Sequence, residues 1–249
     1  MRQAVSAVLI TYNEAEVIER CLRSIEWCDE VVVVDSGSTD GTVEICQRMG
    51  AKVIHRPFTN FGDQKRFAVA QASHSWVLSL DADEYLSASL QREIQKELEA
   101  PRHHGYFLPR SLIFMGKKIR SEQRKPILRL FDKRYGNFVN ISVHEYVKVQ
   151  GSTGKLRGIL WHESYRSLED YFQKFNRYTS LMAERIVEKG KVKPPTYAFL
   201  RFALGFLEQF FLKGCWLNGS IGMVWSLLTA YYSAVKYLKA YEISLQKSQ

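Results

Sequence analysis

The sequence is poor in the features that mark redox, zinc or disulfide chemistry. Its 4 cysteines, Cys21, Cys28, Cys46 and Cys215, form no CxxC pair and no dense framework. That excludes a disulfide scaffold and leaves reduced, partly buried thiols as the expectation. No His/Cys cluster has the spacing of a zinc site. G-x-G-x-x-G is absent, which argues against a dinucleotide oxidoreductase. Gly151-Ser152-Thr153-Gly154-Lys155 lacks the Walker spacing and a following helix, so a hairpin turn is expected there. No secretory signal is expected at the N-terminus: Arg2 is followed by an apolar run that stops at Ile10, too short for an h-region. The expectation is a chain that begins in the cytosol.

What is present reads as ordinary globular protein. The 249 residues are 46% hydrophobic and 24% charged, enough for one large domain with or without a helical appendage. Lys+Arg 35 against Asp+Glu 26 gives a net charge of +9, which favours nucleic acid, phosphorylated substrates or an anionic membrane surface. The aromatic residues gather in the tail instead of interleaving with basic ones, so nucleic acid is disfavoured.

The first hundred residues alternate strand and helix signals. Short apolar runs at Ala4–Ile10, Val31–Val34, Lys52–His55 and Trp76–Leu80 predict strands. Helical spacing follows each of them: Val17 to Ile25, the segment through Ile45 and Met49, Gln64–Ala72, and Leu86–Leu98. Such alternation implies a parallel, helix-covered sheet with right-handed crossovers. Ligands of such sheets sit beyond the carboxyl ends of the strands, where the polar runs Thr11-Tyr12-Asn13-Glu14, Asp35–Asp40 and Asp81–Glu84 cluster.

From Gly105 to Trp161 short β-like runs predict a mixed extension of the sheet with long loops, and Leu168–Glu188 an amphipathic helix ending near Gly190 and Pro194-Pro195. The tail from Tyr197 to Tyr241 is aromatic, and Gly214–Val235 carries no charge. Its glycines, serines and Asn218, with flanking Lys213, Lys236 and Lys239 and Trp216, Trp225, Tyr231 and Tyr232, favour interfacial or re-entrant membrane helices. A packed helical hairpin ranks second and a full span third.

Two constellations carry chemistry. In Asp81-Ala82-Asp83, carboxylates at i and i+2 on a turn leaving a strand can converge on a divalent ion. Mg²⁺ or Mn²⁺ there would neutralise charge on a departing nucleoside diphosphate. The bland alternative is a solvated acidic turn. The second constellation pairs Thr11-Tyr12-Asn13-Glu14 with Asp35-Ser36-Gly37-Ser38. A carboxylate there can accept from a pyrimidine N–H or a ribose hydroxyl, and Gly37 permits close backbone approach; helix capping is the alternative.

Together with SAVLITYNEAEVIERCLRSIEWCDEVVVVDSGSTDGT and SLDADE, these residues resemble family-2 inverting glycosyltransferases. The likeness is nearest to the bacterial lipopolysaccharide inner-core enzymes that glucosylate heptose. It extends over RLF at Arg129–Phe131, VHE at Val143–Glu145 and the helical tail. The resemblance implies an α/β GT-A fold with a Rossmann-like, mostly parallel sheet flanked by helices and a C-terminal helical, membrane-associated extension. It implies a UDP-sugar donor and direct displacement with inversion. Residues 1–165 would form the catalytic domain (1–100 for the nucleotide-sugar, 101–165 for the acceptor) and 166–249 the interfacial extension.

Carried over onto this chain, Thr11, Tyr12, Asn13, Glu14, Asp35 and Gly37 would line the nucleoside pocket, and Lys65 would meet the nucleotide. Asp81 would approach ribose or sugar and Asp83 the metal. Arg66 departs from the Asn common in relatives. Inversion needs a base for the acceptor hydroxyl's proton. Relatives often supply it from a Glu-Asp pair late in the domain, and residues 1–165 of this chain have none; His144-Glu145 stands in, with Glu145 favoured and a loop salt bridge as its alternative. His162 is a candidate further metal ligand, or a structural histidine. His103-His104 are expected to be solvated. Arg120, Arg124, Lys125 and Arg129 would meet acceptor phosphates or the leaving diphosphate, or form a solvated face near anionic membrane.

The leading expectation is transfer of a hexose, glucose from UDP-glucose, onto a lipopolysaccharide core heptose at the cytoplasmic face of the bacterial inner membrane. Transfer to a polyprenyl phosphate or another cell-envelope glycan is the alternative within the class. A sugar nucleotidyltransferase would need a Gly-rich basic loop after the first strand, and a non-enzymatic basic membrane module is the remaining reading.

Overall fold

Four apolar strands expected from the first hundred residues are present in a computed structural model that describes residues 2–139, 145–165 and 167–246. They are β1 (Val5–Thr11), β2 (Glu30–Asp35), β3 (Lys52–His55) and β4 (Trp76–Asp81). The intervening helices are α1 (Ile18–Arg23), α2 (Thr42–Arg48) and α3 (Phe61–Gln71). β1 pairs in parallel with both β2 and β4, and β2 with β3.

Side chains alternate across these strands, as their period of two requires. Ala7 and Leu9 of β1 join one core with Ile18, Cys21, Leu22 and Cys46; Val8 joins another with Ala68 and Val69 of α3. Burial on both faces is what makes the β1, β2 and β4 runs continuously apolar.

The expected helix over Leu86–Leu98 begins later. Glu84–Leu86 forms a short strand, β5, and Ser87 caps α4 (Ala88–Glu97) by accepting from the Leu90 N–H. The mixed extension then follows as β6 (Gly105–Phe114), β7 (Lys117–Lys118), β8 (Lys125–Asp132), β9 (Gly136–Phe138), β10 (Val147–Val149), β11 (Thr153–Lys155) and β12 (Leu160–Tyr165). The main sheet runs β3-β2-β1-β4-β8-β6-β12-β5. β8 enters antiparallel beside β4, and β12 pairs antiparallel with β5. The hairpin expected at Gly151–Lys155 is not formed. β10 pairs with β9, whereas β11 lies parallel to β6, so the segment connects two different pairings.

Two compact units divide the chain: Met1–Ser111 with Arg124–His162, and Leu112–Gln123 with Glu163–Gln249. The second unit holds α5 (Leu168–Glu188), α6 (Pro195–Leu207), a π turn at Glu208–Leu212, a 3₁₀ turn at Cys215–Asn218 and α7 (Gly219–Gln246). Its core gathers Phe114, Ile119, Tyr171, Phe175, Trp225 and Leu228. Gly222 is required there, because a Cβ would stand 1.9 Å from the Cys215 carbonyl oxygen. Among the described residues no helix is long and apolar enough to cross a membrane. The uncharged run Gly214–Val235 is broken by the 3₁₀ turn and by Gly219 at φ +62.

The four cysteines are free. Burial pushes the Cys28 thiol up to about 12 and the Cys46 thiol up to about 11.

Candidate active site

The parallel register brings three polar strand ends into one row. Thr11 pairs with Asp35, Ile10 with Asp81, and Asp35 with His55. The loops beyond are cross-linked. The Asn13 N–H donates to Ser38 Oγ (2.9 Å), Asn13 Oδ1 accepts from the Thr39 N–H (2.8 Å), and the Glu14 N–H donates to Thr42 Oγ1 (2.9 Å). Asn13 adopts φ +54, the left-handed region that an asparagine tolerates. Asp35 is buried and accepts from the N–H groups of Gly37 (2.8 Å) and Ser38 (2.9 Å). Its carboxylate therefore shapes the turn, and Gly37 at φ +99 completes it. Among the described residues Thr11 Oγ1 is buried without a hydrogen-bond partner, whereas Tyr12 is exposed.

Asp81 leaves β4 into a cage of cations. Lys65, in the second turn of α3, places Nζ 2.7 Å from Asp81 Oδ1, and Arg129 of β8 donates to Asp81 Oδ2. Burial alone would raise the Asp81 carboxyl, but Arg129 and then Lys65 outweigh it and hold it well below the usual carboxylate range. The Arg129 guanidinium also meets Glu84 Oε1 at 3.0 Å, and Glu84 Oε2 accepts the Asp81 N–H at 3.1 Å. Arg129 and Glu84 are both buried, at 2% and 0% exposure. Arg129 is thus no member of a solvated or phosphate-seeking basic stretch; a charge taken out of water is retained by pairing, here with the acidic turn. Arg110 adds a contact to Glu84 at 3.4 Å.

Lys65 Nζ is equally close, 2.7 Å, to Glu145 Oε1, so the salt-bridged arrangement considered for Glu145 is formed, with Lys65 as its cation. The Phe138 ring covers the same ammonium at 5.6 Å. Arg66 donates to the Phe138 carbonyl (3.1 Å), which fixes the strand carrying that ring. His144 lies outside the described residues.

The β5–β12 pairing sets His162 opposite Glu84. Its Nε2 stands 3.3 Å from Asp83 Oδ2. Burial would lower the imidazole's pKa; Asp83 outweighs it and the value is raised. Among the described residues no group of three or more His, Cys, Asp or Glu is arranged to hold a metal. An Asp–His pair nevertheless fits a hard cation that takes its remaining ligands from substrate phosphate and water. His103 and His104 are not solvated: both are half-buried, ringed by Tyr106 and Tyr135.

Glu84 and Arg129 are the site residues that spacing did not reveal in their roles. The usable signal was a lone arginine in the apolar run Ile127-Leu128-Arg129-Leu130-Phe131, since a buried cation demands acidic partners.

Comparison with known proteins places this geometry. The profile described as Glycosyl transferase family 2 matches residues 6–162. The lipopolysaccharide core biosynthesis glycosyltransferase LpsC of Rhizobium meliloti is 32% identical over 95% of this chain and 92% of its own length. An uncharacterised glycosyltransferase of Rickettsia typhi is 33% identical over 97% of this chain and 88% of its own. The crystal structure of S. aureus TarS has a TM-score of 0.50 at 16% identity, covering 92% of this chain and 55% of that one, a likeness of fold alone. The chain belongs to glycosyl transferase family 2: it is a glycosyltransferase with a GT-A-like α/β fold.

Proposed function

We propose that the protein transfers a hexose, glucose from UDP-glucose, onto an inner-core heptose of lipopolysaccharide, with inversion by direct displacement. The observation that carries this reading is the convergence of Lys65, Arg129 and Asp81 at the carboxyl ends of parallel strands, beside the Asp83–His162 pair. The 32% identity to LpsC, a core biosynthesis glycosyltransferase, supports the acceptor class.

In this reading Thr11, Tyr12, Asn13, Glu14, Asp35 and Gly37 line the nucleoside side, and Asp81 accepts from a ribose or sugar hydroxyl. Lys65 serves the diphosphate side while holding Asp81 in place. Asp83 and His162 would hold Mn²⁺ or Mg²⁺, with the Asp83 carboxylate as the hard oxygen ligand. When bound, the cation supplies Lewis-acid neutralisation of the leaving diphosphate. Glu145 takes the acceptor hydroxyl's proton, with His144 beside it in sequence. The catalytic residues lie in a domain of residues 1–165, in which 1–100 serve the donor and 101–165 the acceptor.

Residues 166–249 form the extension that we place on the cytoplasmic face of the inner membrane. Between residues 189 and 241 stand Lys189, Lys191, Lys193, Arg201, Lys213, Lys236 and Lys239 against one acid, Glu208. Leu200, Leu204, Leu207 and Phe211, spaced along one helical face, are exposed. A cationic, apolar-faced helical region suits an anionic lipid surface.

A thermal-shift panel of UDP-, GDP-, CMP- and dTDP-sugars with Mn²⁺ tests the donor. The UDP-sugar alone is expected to stabilise, by roughly 5–10 °C at a hundredfold excess over Kd. Stabilisation by another nucleotide class and not by UDP would overturn it.

A further inference from the structure

The tip of the β6–β7 hairpin breaks the usual rule for its turn. Phe114 pairs with Lys117, leaving a two-residue loop in which Met115 has φ +48 and Gly116 φ +73. Both central residues of such a turn need positive φ, so Asn-Gly or Asp-Gly is the favoured pair. Methionine in the first position is strained, and it is also exposed, at 42%. A residue costly to the backbone and apolar towards water points to a contact that uses the side chain.

The surroundings agree. A groove of about 750 Å³ lies at this tip, lined by Met115, Lys117, Lys118, Leu217, Asn218 and Ile221. Its walls are fixed: Asn218 Nδ2 donates to the Lys118 carbonyl (2.9 Å), and Asn218 Oδ1 accepts the Arg120 N–H (3.0 Å). Trp216 and Leu217 beside it are more than half exposed, at 53% and 52%. In the segment 112–123 the cations Lys117, Lys118 and Arg120 outnumber the acid Glu122. Tryptophan, methionine and leucine next to lysines form the composition of a surface that seats in lipid headgroups.

We infer that this tip is the docking point on an anionic lipid bilayer, with Met115, Trp216 and Leu217 entering the apolar boundary and Lys117 and Lys118 meeting lipid phosphates. The inference rests on the membrane-face reading above and names the surface that carries it. Charge complementarity selects the occupant: three cations against one acid in 112–123 match an anionic headgroup layer, which a neutral bilayer does not offer.

Vesicle co-sedimentation of the full chain tests it. The native protein is expected to sediment with phosphatidylethanolamine–phosphatidylglycerol vesicles, less so as salt rises, and poorly with phosphatidylcholine vesicles. Met115→Asn suits the left-handed turn better and removes the apolar tip. It should keep or raise the melting temperature while weakening sedimentation by roughly fivefold or more. K117E/K118E should weaken it similarly, and both variants should retain the UDP-sugar thermal shift. Native-level sedimentation of both variants, or no preference for anionic vesicles, overturns the inference. So does a dimer in sedimentation velocity that Met115→Asn dissolves, since the tip would then face a second copy. A native chain that ignores UDP-sugars yet sediments as described would sink the donor reading and support this one.

Discussion

Lys65 and Glu145, 80 residues apart in sequence, meet at 2.7 Å, and the same ammonium lies 2.7 Å from Asp81. One buried cation thus joins the residue assigned to the donor with the residue assigned as base. Glu145→Gln separates the two duties of that carboxylate, because it keeps the shape while removing proton acceptance. The expected outcome is a fall in kcat of about 10²–10⁴-fold with the UDP-sugar thermal shift retained. A loss below tenfold would reduce Glu145 to a latch on Lys65.

Arg129 is the keystone of the acidic turn. Arg129→Ala leaves Glu84, at 0% exposure, with the Asp81 N–H at 3.1 Å and, as cation among the described residues, Arg110 at 3.4 Å. Breaking a buried pair in this way should cost about 3–5 kcal/mol, read as a lowered urea midpoint. Arg129→Lys keeps the charge but not the two-armed guanidinium, so it should recover part of the stability and little of the activity. A variant as stable as the native chain would show the network to be dispensable.

Acid sensitivity should trace in part to Glu30. Its carboxylate accepts from Ser6 Oγ (2.5 Å) and from the Ser73 N–H (2.7 Å) and Oγ (2.8 Å). Burial opposes its charge, but these donors outweigh it and lower its pKa from the ordinary 4.5. A lowered folded value means the stabilisation is complete above the ordinary range and is lost as pH falls through the folded value. Glu30→Gln should therefore be less stable than the native chain at pH about 7, with the difference closing near pH about 3. Urea midpoints at the two pH values decide it; an unchanged gap contradicts the assignment.

The parallel half was legible because its strands are buried on both faces and bounded by turn residues, as Val31–Val34 before Asp35 shows. The Asp81 row followed from strand order alone. Glu84-Tyr85-Leu86 was not legible as a strand: three residues carry no period, and its pairing with β12 is tertiary. That pairing is what brings His162 to Asp83. The sequence groups Arg129 with a phosphate-seeking or solvated basic stretch because nearby Arg and Lys dominate its neighbourhood, while its partners are 45 and 48 residues away. The single span that ranks third for the uncharged tail is not formed: Gly214 and Gly219, at φ +72 and +62, break the run into turns.

Metal-assisted transfer from a UDP-sugar at the Asp81–Asp83 turn is the reaction we propose for this protein. Its most direct measurement is UDP release by the purified chain from UDP-glucose, with a heptose-containing core acceptor and Mn²⁺, compared with Asp83→Ala. The native protein is expected to show acceptor-dependent turnover that chelation stops, and the variant a loss of at least about 10²-fold. Undiminished turnover by Asp83→Ala, or turnover indifferent to chelator, would contradict it.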